Sequence, residues 1–186
     1  MEDQLIKRVL DGDEEAFRLL VTPYILQAKQ TAYLIVHDYT LAEDAVQEAL
    51  YEAFRSMHRY NPAIALFKTW FNKIVIHQAM KVTRKWSVKK WLPFFNDPED
   101  RCTPEKLYEM KEHNKLLYEA VKKLSIKHQV VIVLHYFQEQ TLKEIAATLG
   151  ISEGTVKSRL FKAKEKLKNV YGEGGQDYGT ALKRNV

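Results

Sequence analysis

The sequence predicts an all-α protein of two small helical domains joined by an acidic linker. Apolar residues recur at intervals of three and four through most of the chain, which is the period of a helix with one buried face. Residues 87–104 interrupt this pattern with three prolines and a cluster of acids, a composition typical of a linker. We expect a first domain at residues 1–86, the linker at 87–111, a second domain at 112–171 and a flexible tail at 172–186.

Charge alternates along the chain, although the net charge is only +5. Residues 61–93 contain seven basic and no acidic residues, and residues 121–171 contain ten basic and four acidic ones. An acidic segment precedes each of them, since residues 1–60 hold six basic and eleven acidic residues, and residues 94–120 hold four and seven. A polyanion is therefore expected to contact the protein in two places.

The N-terminal part of the sequence predicts four helices. Asp13 can cap the second helix, and Pro23 should interrupt that helix because proline lacks the backbone N–H. Thr40 followed by Glu43 has the spacing of a capping box, which predicts the start of the third helix. The four helices are expected at residues 2–10, 13–36, 41–58 and about 68–86.

In the C-terminal part, helices are expected to resume near Pro104 and continue through Leu124. Residues 126–137 are apolar and rich in β-branched side chains, as a buried strand would be. Ser125 stands where a helix N-cap is expected, so we assign this segment to a helix.

A helix-turn-helix is predicted from residue 141 onward. Thr141 and Glu144 have capping-box spacing and predict a helix that begins at Leu142. Gly150 suits the sharp turn at the end of that helix, because glycine carries no Cβ penalty at positive φ. Ser152 is the expected N-cap of the next helix.

The second helix of this motif has one apolar face and one basic face. Its apolar stripe is Val156, Leu160, Ala163 and Leu167. Lysine and arginine side chains near the start of the helix can reach bases or phosphates, because a helix fits the major groove of DNA. A solvated basic face of an ordinary helical hairpin is the alternative. The two caps and the glycine turn together favour DNA binding.

Several other classes of chemistry are not indicated. The chain has no glycine pattern of a nucleotide site and no H-E-x-x-H among its six histidines, so we expect no enzyme, no cofactor and no metal. Cys102 is the only cysteine, which excludes an internal disulfide. No signal-peptide pattern opens the chain, and no apolar run approaches the roughly 20 residues needed to cross a bilayer. A soluble, cytoplasmic protein is expected.

Three motifs in this order, with the acidic linker between them, identify a family resemblance. They are Asp44–Ala49 (DAVQEA), Phe67–Ile74 (FKTWFNKI) and Gly154–Leu160 (GTVKSRL). Over about residues 4–170 the chain resembles an extracytoplasmic-function (group 4) sigma factor of bacterial RNA polymerase. The resemblance implies an alternative sigma factor that binds the β′ and β subunits of core polymerase, directs it to a promoter class and assists promoter melting. It also implies an anti-sigma factor as a partner.

The resemblance assigns core polymerase binding to a polar stripe on the third helix, formed by Asp44, Gln47 and Glu48. These residues lie at i, i+3 and i+4, one turn apart on one face. The opposite side of the helix is expected to be buried through Leu41, Ala45 and Leu50. A solvated acidic helix face is the alternative.

The resemblance assigns recognition and melting of the minus-ten element to the acid-free region. Melting requires a basic track for the backbone and pockets or aromatic faces for unstacked bases. Trp70 and Phe71 are assigned to the core, because aromatic residues at helical spacing are typical of a core. His77 and Lys81 depart from the family, whose members commonly carry Asn and Asp there. The predicted minus-ten residues are Tyr60, Asn61, Lys68, Lys73, His77, Lys81, Arg84 and Lys85.

Recognition of the minus-thirty-five element falls, by the same resemblance, on the helix after Ser152. Base contacts are implied for Lys157, Ser158, Phe161 and Lys162, and a phosphate contact for Arg159. The full predicted set is Thr155, Lys157, Ser158, Arg159, Phe161 and Lys162.

Two other functions remain open at this stage. A stand-alone activator of LuxR type would carry a similar helix-turn-helix, but the N-terminal half lacks the alternating strands and helices of a receiver domain. A nuclease would need clustered carboxylates near the basic surfaces, and residues 53–96 contain no such cluster.

The linker contains four acidic residues, Asp97, Glu99, Asp100 and Glu105. By the family resemblance they mimic nucleic acid in the polymerase cleft, and the alternative is that they are simply solvated.

Overall fold

The structure is a computed structural model that describes residues 2–89 and 119–171, with side chains to residues 85 and 168 of these ranges. Every regular element in the two ranges is helical. The chain divides into two compact units, Met1–Asp97 and Pro98–Val186. The all-α class with two helical domains is therefore confirmed. Most of the predicted linker, its acids, Cys102 and the predicted tail lie outside the described residues.

Residues 2–89 of the first unit form five α-helices and two short 3₁₀ turns. Asp13 caps the second helix by accepting a hydrogen bond from the Ala16 N–H at 2.9 Å. Pro23 lies in the 3₁₀ turn Thr22–Tyr24, so its predicted interruption of the helix is confirmed. The helices are α1 (Glu2–Leu10), α2 (Glu14–Val21), α3 (Ile25–Val36), α4 (Tyr39–Ser56) and α5 (Phe67–Lys89), with the second 3₁₀ turn at Met57–Arg59.

The capping box predicted for Thr40 and Glu43 is wrong. Asp38 caps α4 instead, because its carboxylate accepts the Leu41 N–H at 2.8 Å. Glu43 is not available for a box, since its carboxylate binds the Lys29 ammonium at 2.8 Å. Because α4 begins at Tyr39, Thr40 lies inside the helix and cannot be its N-cap.

The core of the first unit lies between α3, α4 and α5. The inner face of α4 is small, with Ala45, Ala49 and Ala53 fully buried, which lets the neighbouring helices approach closely. Leu41 and Leu50, which were expected in the core, are only half-buried. Helix α5 fills the space with large side chains, and it ends at Lys89, three residues beyond the predicted end. Its large buried apolar side chains are Phe67, Phe71, Val75 and Ile76.

The second unit is helical at residues 119–122 and then contains α6 (Ile126–Ile132), the π-helical segment Val133–Phe137, α7 (Leu142–Leu149) and α8 (Glu153–Tyr171). The helix predicted at residues 126–137 is confirmed, although its last five residues are π-helical. Ser125 does not cap α6 through its side chain. Its hydroxyl lies 2.9 Å from Nδ1 of His128, so the N-cap position predicted for Ser125 is confirmed but the capping hydrogen bond of its side chain is not formed.

The helix-turn-helix forms as predicted. Glu144 accepts the Thr141 N–H at 2.8 Å, and Thr141 Oγ1 accepts the Glu144 N–H at 3.3 Å, which completes the capping box. Gly150 ends α7 with a φ of 66°, a left-handed conformation that favours glycine. Ser152 Oγ accepts the Thr155 N–H at 3.2 Å at the start of α8. These three local features position α8.

Candidate nucleic-acid and partner interfaces

The first candidate surface is the acidic stripe of α4, formed by Asp44, Gln47 and Glu48. All three side chains are exposed. A helix turns by about 100° per residue, which places the stripe on the side of α4 that faces away from its buried alanines. Glu43 lies beside the stripe, but its charge is offset by Lys29. The stripe is therefore an accessible anionic surface on a rigid helix.

The second candidate surface is a basic stripe along α5. At about 100° per residue, Lys73, His77, Lys81 and Arg84 fall on one side of the helix, opposite its buried face. Lys85 flanks this stripe. Lys68 is exposed at the start of α5 but lies about half a turn around the helix axis, so the structure does not bring it to the same surface. No acid lies in this part of the chain.

A groove of about 360 Å³ opens along the basic stripe, between the end of α4 and the middle of α5. Trp70 offers a flat apolar surface to it, while Lys73 and His77 offer hydrogen-bonding and charged groups. These groups suit an unstacked base and its backbone. The groove forms only when α4 packs on α5. The sequence therefore did not indicate that α4 and the 3₁₀ turn Met57–Arg59 would line it. The lining residues not predicted are Glu52, Ser56, Arg59, Ile74 and Gln78.

Tyr60 and Asn61 shape the loop that precedes α5. The Tyr60 ring packs 5.7 Å from the Phe67 ring and 5.3 Å from the Trp70 ring, and its burial raises the pKa of the phenol. Asn61 Oδ1 accepts the Ala63 N–H at 2.9 Å and so holds the turn. The core assignment is confirmed for Phe71, which is fully buried, whereas Trp70 is half-buried.

The third candidate surface is the outer face of α8. Ser158, Phe161 and Lys162 are exposed and lie opposite the buried stripe that includes Val156 and Leu160. The predicted apolar stripe is confirmed. The Phe161 ring is 62% exposed, which is unusual for so large an apolar side chain and consistent with a binding surface.

Two cations flank this outer face on opposite sides. Lys157 is exposed on one flank, and Arg159 is half-buried on the other. Thr155 belongs to the helix cap rather than to the outer face, since its hydroxyl lies 2.9 Å from the Ser152 hydroxyl. The outer face of α8 therefore has Ser158, Phe161 and Lys162 at its centre. Lys157 and Arg159 lie at its two edges.

The outer face of α8 changes character in its fourth turn, where it carries an acid. Glu165 is exposed on the same side as Ser158, where a carboxylate would repel phosphate. Lys164 does not extend the basic surface outward, because its Nζ lies 5.3 Å from the centroid of the Tyr136 ring. The centre of the outer face is therefore free of carboxylates only in the first part of α8, although Lys166 and Lys168 are exposed further along the helix.

His128 lies under α8 and predicts a pH-dependent stability of the second unit. Burial, together with the charges of Lys166, Lys127, Lys162 and Arg159, lowers its pKa below the ordinary 6.5. In the unfolded chain the His128 imidazole therefore takes up a proton near pH 6.5, whereas in the folded chain it takes up that proton only at a lower pH. The stabilising effect is full above that pH and is lost as the pH falls through it. Thermal unfolding of the second unit is expected at a lower temperature at pH 5 than at pH 7.5.

An NMR titration of the His128 ring protons tests the cause directly. We expect a midpoint below 6.5 in the free protein, and a higher midpoint when a polyanion offsets the cations of α8. A midpoint at or above about 6.5 in the free protein would contradict the assignment.

The described ranges contain no group of three His, Cys, Asp or Glu side chains that could hold a metal ion. Within the same ranges, none of the helices combines the length and the apolar character required to span a membrane.

Comparison with known proteins accounts for both units. A family model described as sigma-70 region 2 matches residues 20–87, and one described as sigma-70 region 4 matches residues 114–167. The sequence is 32% identical over 158 residues to the RNA polymerase sigma factor SigV of Bacillus subtilis, covering 81% of this chain and 90% of that protein. It is 29% identical over 178 residues to the sigma factor SigW of the same organism, covering 88% and 92%.

A solved structure shares the fold. The sigma factor RpoE of Bartonella quintana, crystallised with the anti-sigma factor NepR, matches with a TM-score of 0.70 and 20% identity. The match covers 85% of this chain and 98% of that one. The two family models and the Bacillus relatives show that the chain belongs to the extracytoplasmic-function sigma factors of the sigma-70 family.

Proposed function

We propose that this sigma factor acts as a dissociable, non-catalytic subunit in the cytoplasm, where it directs core RNA polymerase to one class of promoters and helps to separate the strands. The observation that carries the proposal is the pairing of two basic surfaces, on α5 and on α8, with an acidic stripe on α4. DNA requires the first two, and a basic protein surface matches the third.

The acidic stripe is assigned to core polymerase. Asp44, Gln47 and Glu48 would contact the coiled coil of the β′ subunit, which the family resemblance implies as the partner of this helix. Exposed carboxylates on a rigid helix steer a basic partner and fix its orientation.

The basic stripe and groove of α5 are assigned to the minus-ten element. Lys73, Lys81 and Arg84 would follow the DNA backbone, and the groove beside Trp70 and His77 would receive an unstacked base. Lys85, which flanks the stripe, would contact phosphate at its edge, whereas Lys68 lies on another side of α5 and would reach DNA only outside this surface. Tyr60 and Asn61 act indirectly here, by holding the loop and the Trp70 ring in place.

The outer face of α8 is assigned to the minus-thirty-five element. Ser158, Phe161 and Lys162 would contact base edges in the major groove, because they occupy the centre of the exposed face. The resemblance implies a base contact for Lys157, but its place on the flank favours phosphate, so we propose that Lys157 and Arg159 contact phosphates on either side of the groove. Thr155 would contribute through the helix cap.

An anti-sigma factor is the proposed regulator. The RpoE structure from Bartonella quintana holds the anti-sigma factor NepR, and the structure of CnrH, also similar in fold at a TM-score of 0.67 and 22% identity, holds the cytosolic domain of CnrY. We propose that a protein of this kind covers the polymerase-binding or DNA-binding surfaces until a signal releases it.

Reconstitution with core polymerase and promoter DNA tests the proposed function. A sigma factor is expected to protect promoter DNA from cleavage only when core polymerase is present, and to leave the DNA intact. Protection by the chain alone would instead support a stand-alone activator. Cutting of the DNA would support a nuclease.

His77 and Lys81 are the two residues of α5 that depart from the family pattern. Substitutions at these positions are expected to distinguish a base contact from a phosphate contact. His77 lines the groove, so His77→Asn should change the preferred minus-ten bases. Lys81 is exposed one turn further on, so Lys81→Asp should lower open-complex formation on every promoter and flatten its salt dependence. Permanganate reactivity of melted thymines over a salt series measures both effects. Unchanged melting and unchanged preference would assign both residues to solvent.

A further inference from the structure

Helix α4 carries an exposed aromatic ring at the centre of its outward face. Tyr51 is 65% exposed, and it lies three and four residues after Glu48 and Gln47, respectively, on the same side of the helix. At about 100° per residue, Tyr51 stands opposite the buried alanines Ala45, Ala49 and Ala53. The Tyr51 ring therefore continues the acidic stripe toward the C-terminal end of α4 and projects from the same surface.

Within residues 2–85, the aromatic packing of the first unit does not include the Tyr51 ring. Among the described residues, the Tyr51 ring makes no aromatic or cation contact. By contrast, the Tyr24 and Tyr60 rings of the same unit pack 5.8 and 5.7 Å from the Phe67 ring. An aromatic side chain left in water retains the hydrophobic free energy that its burial by a partner would release.

The charges around Tyr51 define what the partner must offer. Asp44 and Glu48 lie on its N-terminal side, and Arg55 lies one turn after it, where Arg55 Nε is 3.9 Å from a Glu52 carboxylate oxygen. A matching partner surface has cations at one end, an apolar socket in the middle and no cation opposite Arg55. Since the two ends of the stripe differ in charge, only one orientation of the partner is favoured.

We propose that Tyr51 is an aromatic anchor of the contact with core polymerase, inserted into an apolar socket that is flanked by the cations facing Asp44 and Glu48. The inference rests on the proposed function, and it adds a residue and a chemistry that the charged stripe alone does not contain. Tyrosine is enriched among the few side chains that dominate binding energy, and such side chains lie at the centre of an interface, surrounded by polar contacts that exclude water.

Equilibrium binding of the full chain to core polymerase, without DNA, tests the proposal. Tyr51→Ala and Tyr51→Lys are expected to weaken binding by about tenfold or more, the scale of a side chain that dominates an interface. Tyr51→Phe keeps the ring and is expected to stay within about threefold of the wild type. Leu10→Ala is the matched control, because Leu10 is an apolar side chain of α1 that is 53% exposed. Circular dichroism of each variant verifies that the helices remain.

The outcomes separate this inference from the proposed function. If Tyr51→Ala and Tyr51→Lys bind like the wild type while the reversal of Asp44 and Glu48 abolishes binding, the anchor is overturned and the proposed function stands. If the charge reversal also leaves binding intact, the assignment of the whole α4 surface fails. Equal losses in Tyr51→Phe and Tyr51→Ala would overturn the role of the ring. If Leu10→Ala weakens binding to core polymerase by a similar factor, any exposed apolar residue has this effect and the position of Tyr51 is not special.

Discussion

The double charge reversal Asp44→Lys with Glu48→Lys is expected to abolish co-purification with core polymerase while the helical circular dichroism stays unchanged. Both side chains are exposed and lie one turn apart on α4, so their replacement leaves the alanine core of the helix intact. Loss of one partner of a desolvated charge pair costs about 2–5 kcal/mol, and the introduced lysines add repulsion from the basic partner surface. Affinity purification with tagged core polymerase measures the effect.

A matched control separates the stripe from net charge. The double variant Asp11→Lys with Glu14→Lys makes the same change in net charge at two exposed acids outside α4. It is expected to bind core polymerase as the wild type does. Normal binding by the Asp44 and Glu48 variant, or an equal loss in the control, would remove the assignment of the stripe.

The helix-turn-helix was predictable because its signals are local. Thr141 and Glu144 satisfy one another within a single turn, and Gly150 ends α7 by its own backbone freedom. Neither depends on a residue far away in the chain. The capping box is therefore enough to predict where α7 begins, and the glycine is enough to predict where the turn falls.

Capping predictions failed where a side chain had another partner. Glu43 has the spacing of a capping box with Thr40, but Lys29, fourteen residues earlier, binds its carboxylate. Ser125 stands at the N-cap position of α6, but its hydroxyl meets the His128 ring instead of a backbone N–H. Asp38 caps α4 through Leu41, three residues later, and His128 lies three residues after Ser125, so in both places a second local partner competes and spacing alone does not decide between them.

The candidate sites were predictable in outline, but their geometry came from packing. The acid-free segment predicted a basic surface, whereas only the packing of α4 on α5 brings Glu52 and Arg59 to the groove beside Trp70. Lys68 is basic and in the correct segment, but its register places it on another side of α5. No sequence pattern distinguished Tyr51, because its proposed role as an anchor depends on the exposure of its ring, which only the structure gives.

The final prediction concerns the two kinds of DNA contact on α8. Lys162 is exposed on the outer face, so Lys162→Ala is expected to lose a base contact, at a cost of about 1–3 kcal/mol confined to one promoter position. Arg159 lies half-buried on the flank, so Arg159→Ala is expected to weaken binding to all promoters alike and to reduce the salt dependence. Transcription from libraries randomised across the minus-thirty-five element measures both effects.

Glu165→Ala is the control for position along the helix. Glu165 is exposed on the same side of α8, but it lies beyond the part expected to contact bases, so its replacement should leave sequence preference unchanged. Removing its carboxylate should strengthen binding slightly at low salt, because the repulsion of nearby phosphate is relieved. If Lys162→Ala and Arg159→Ala alter sequence preference equally, the centre and the flank of α8 do not have separate roles. If Glu165→Ala changes the preferred bases, the reading surface extends further along α8 than its exposed acid indicates.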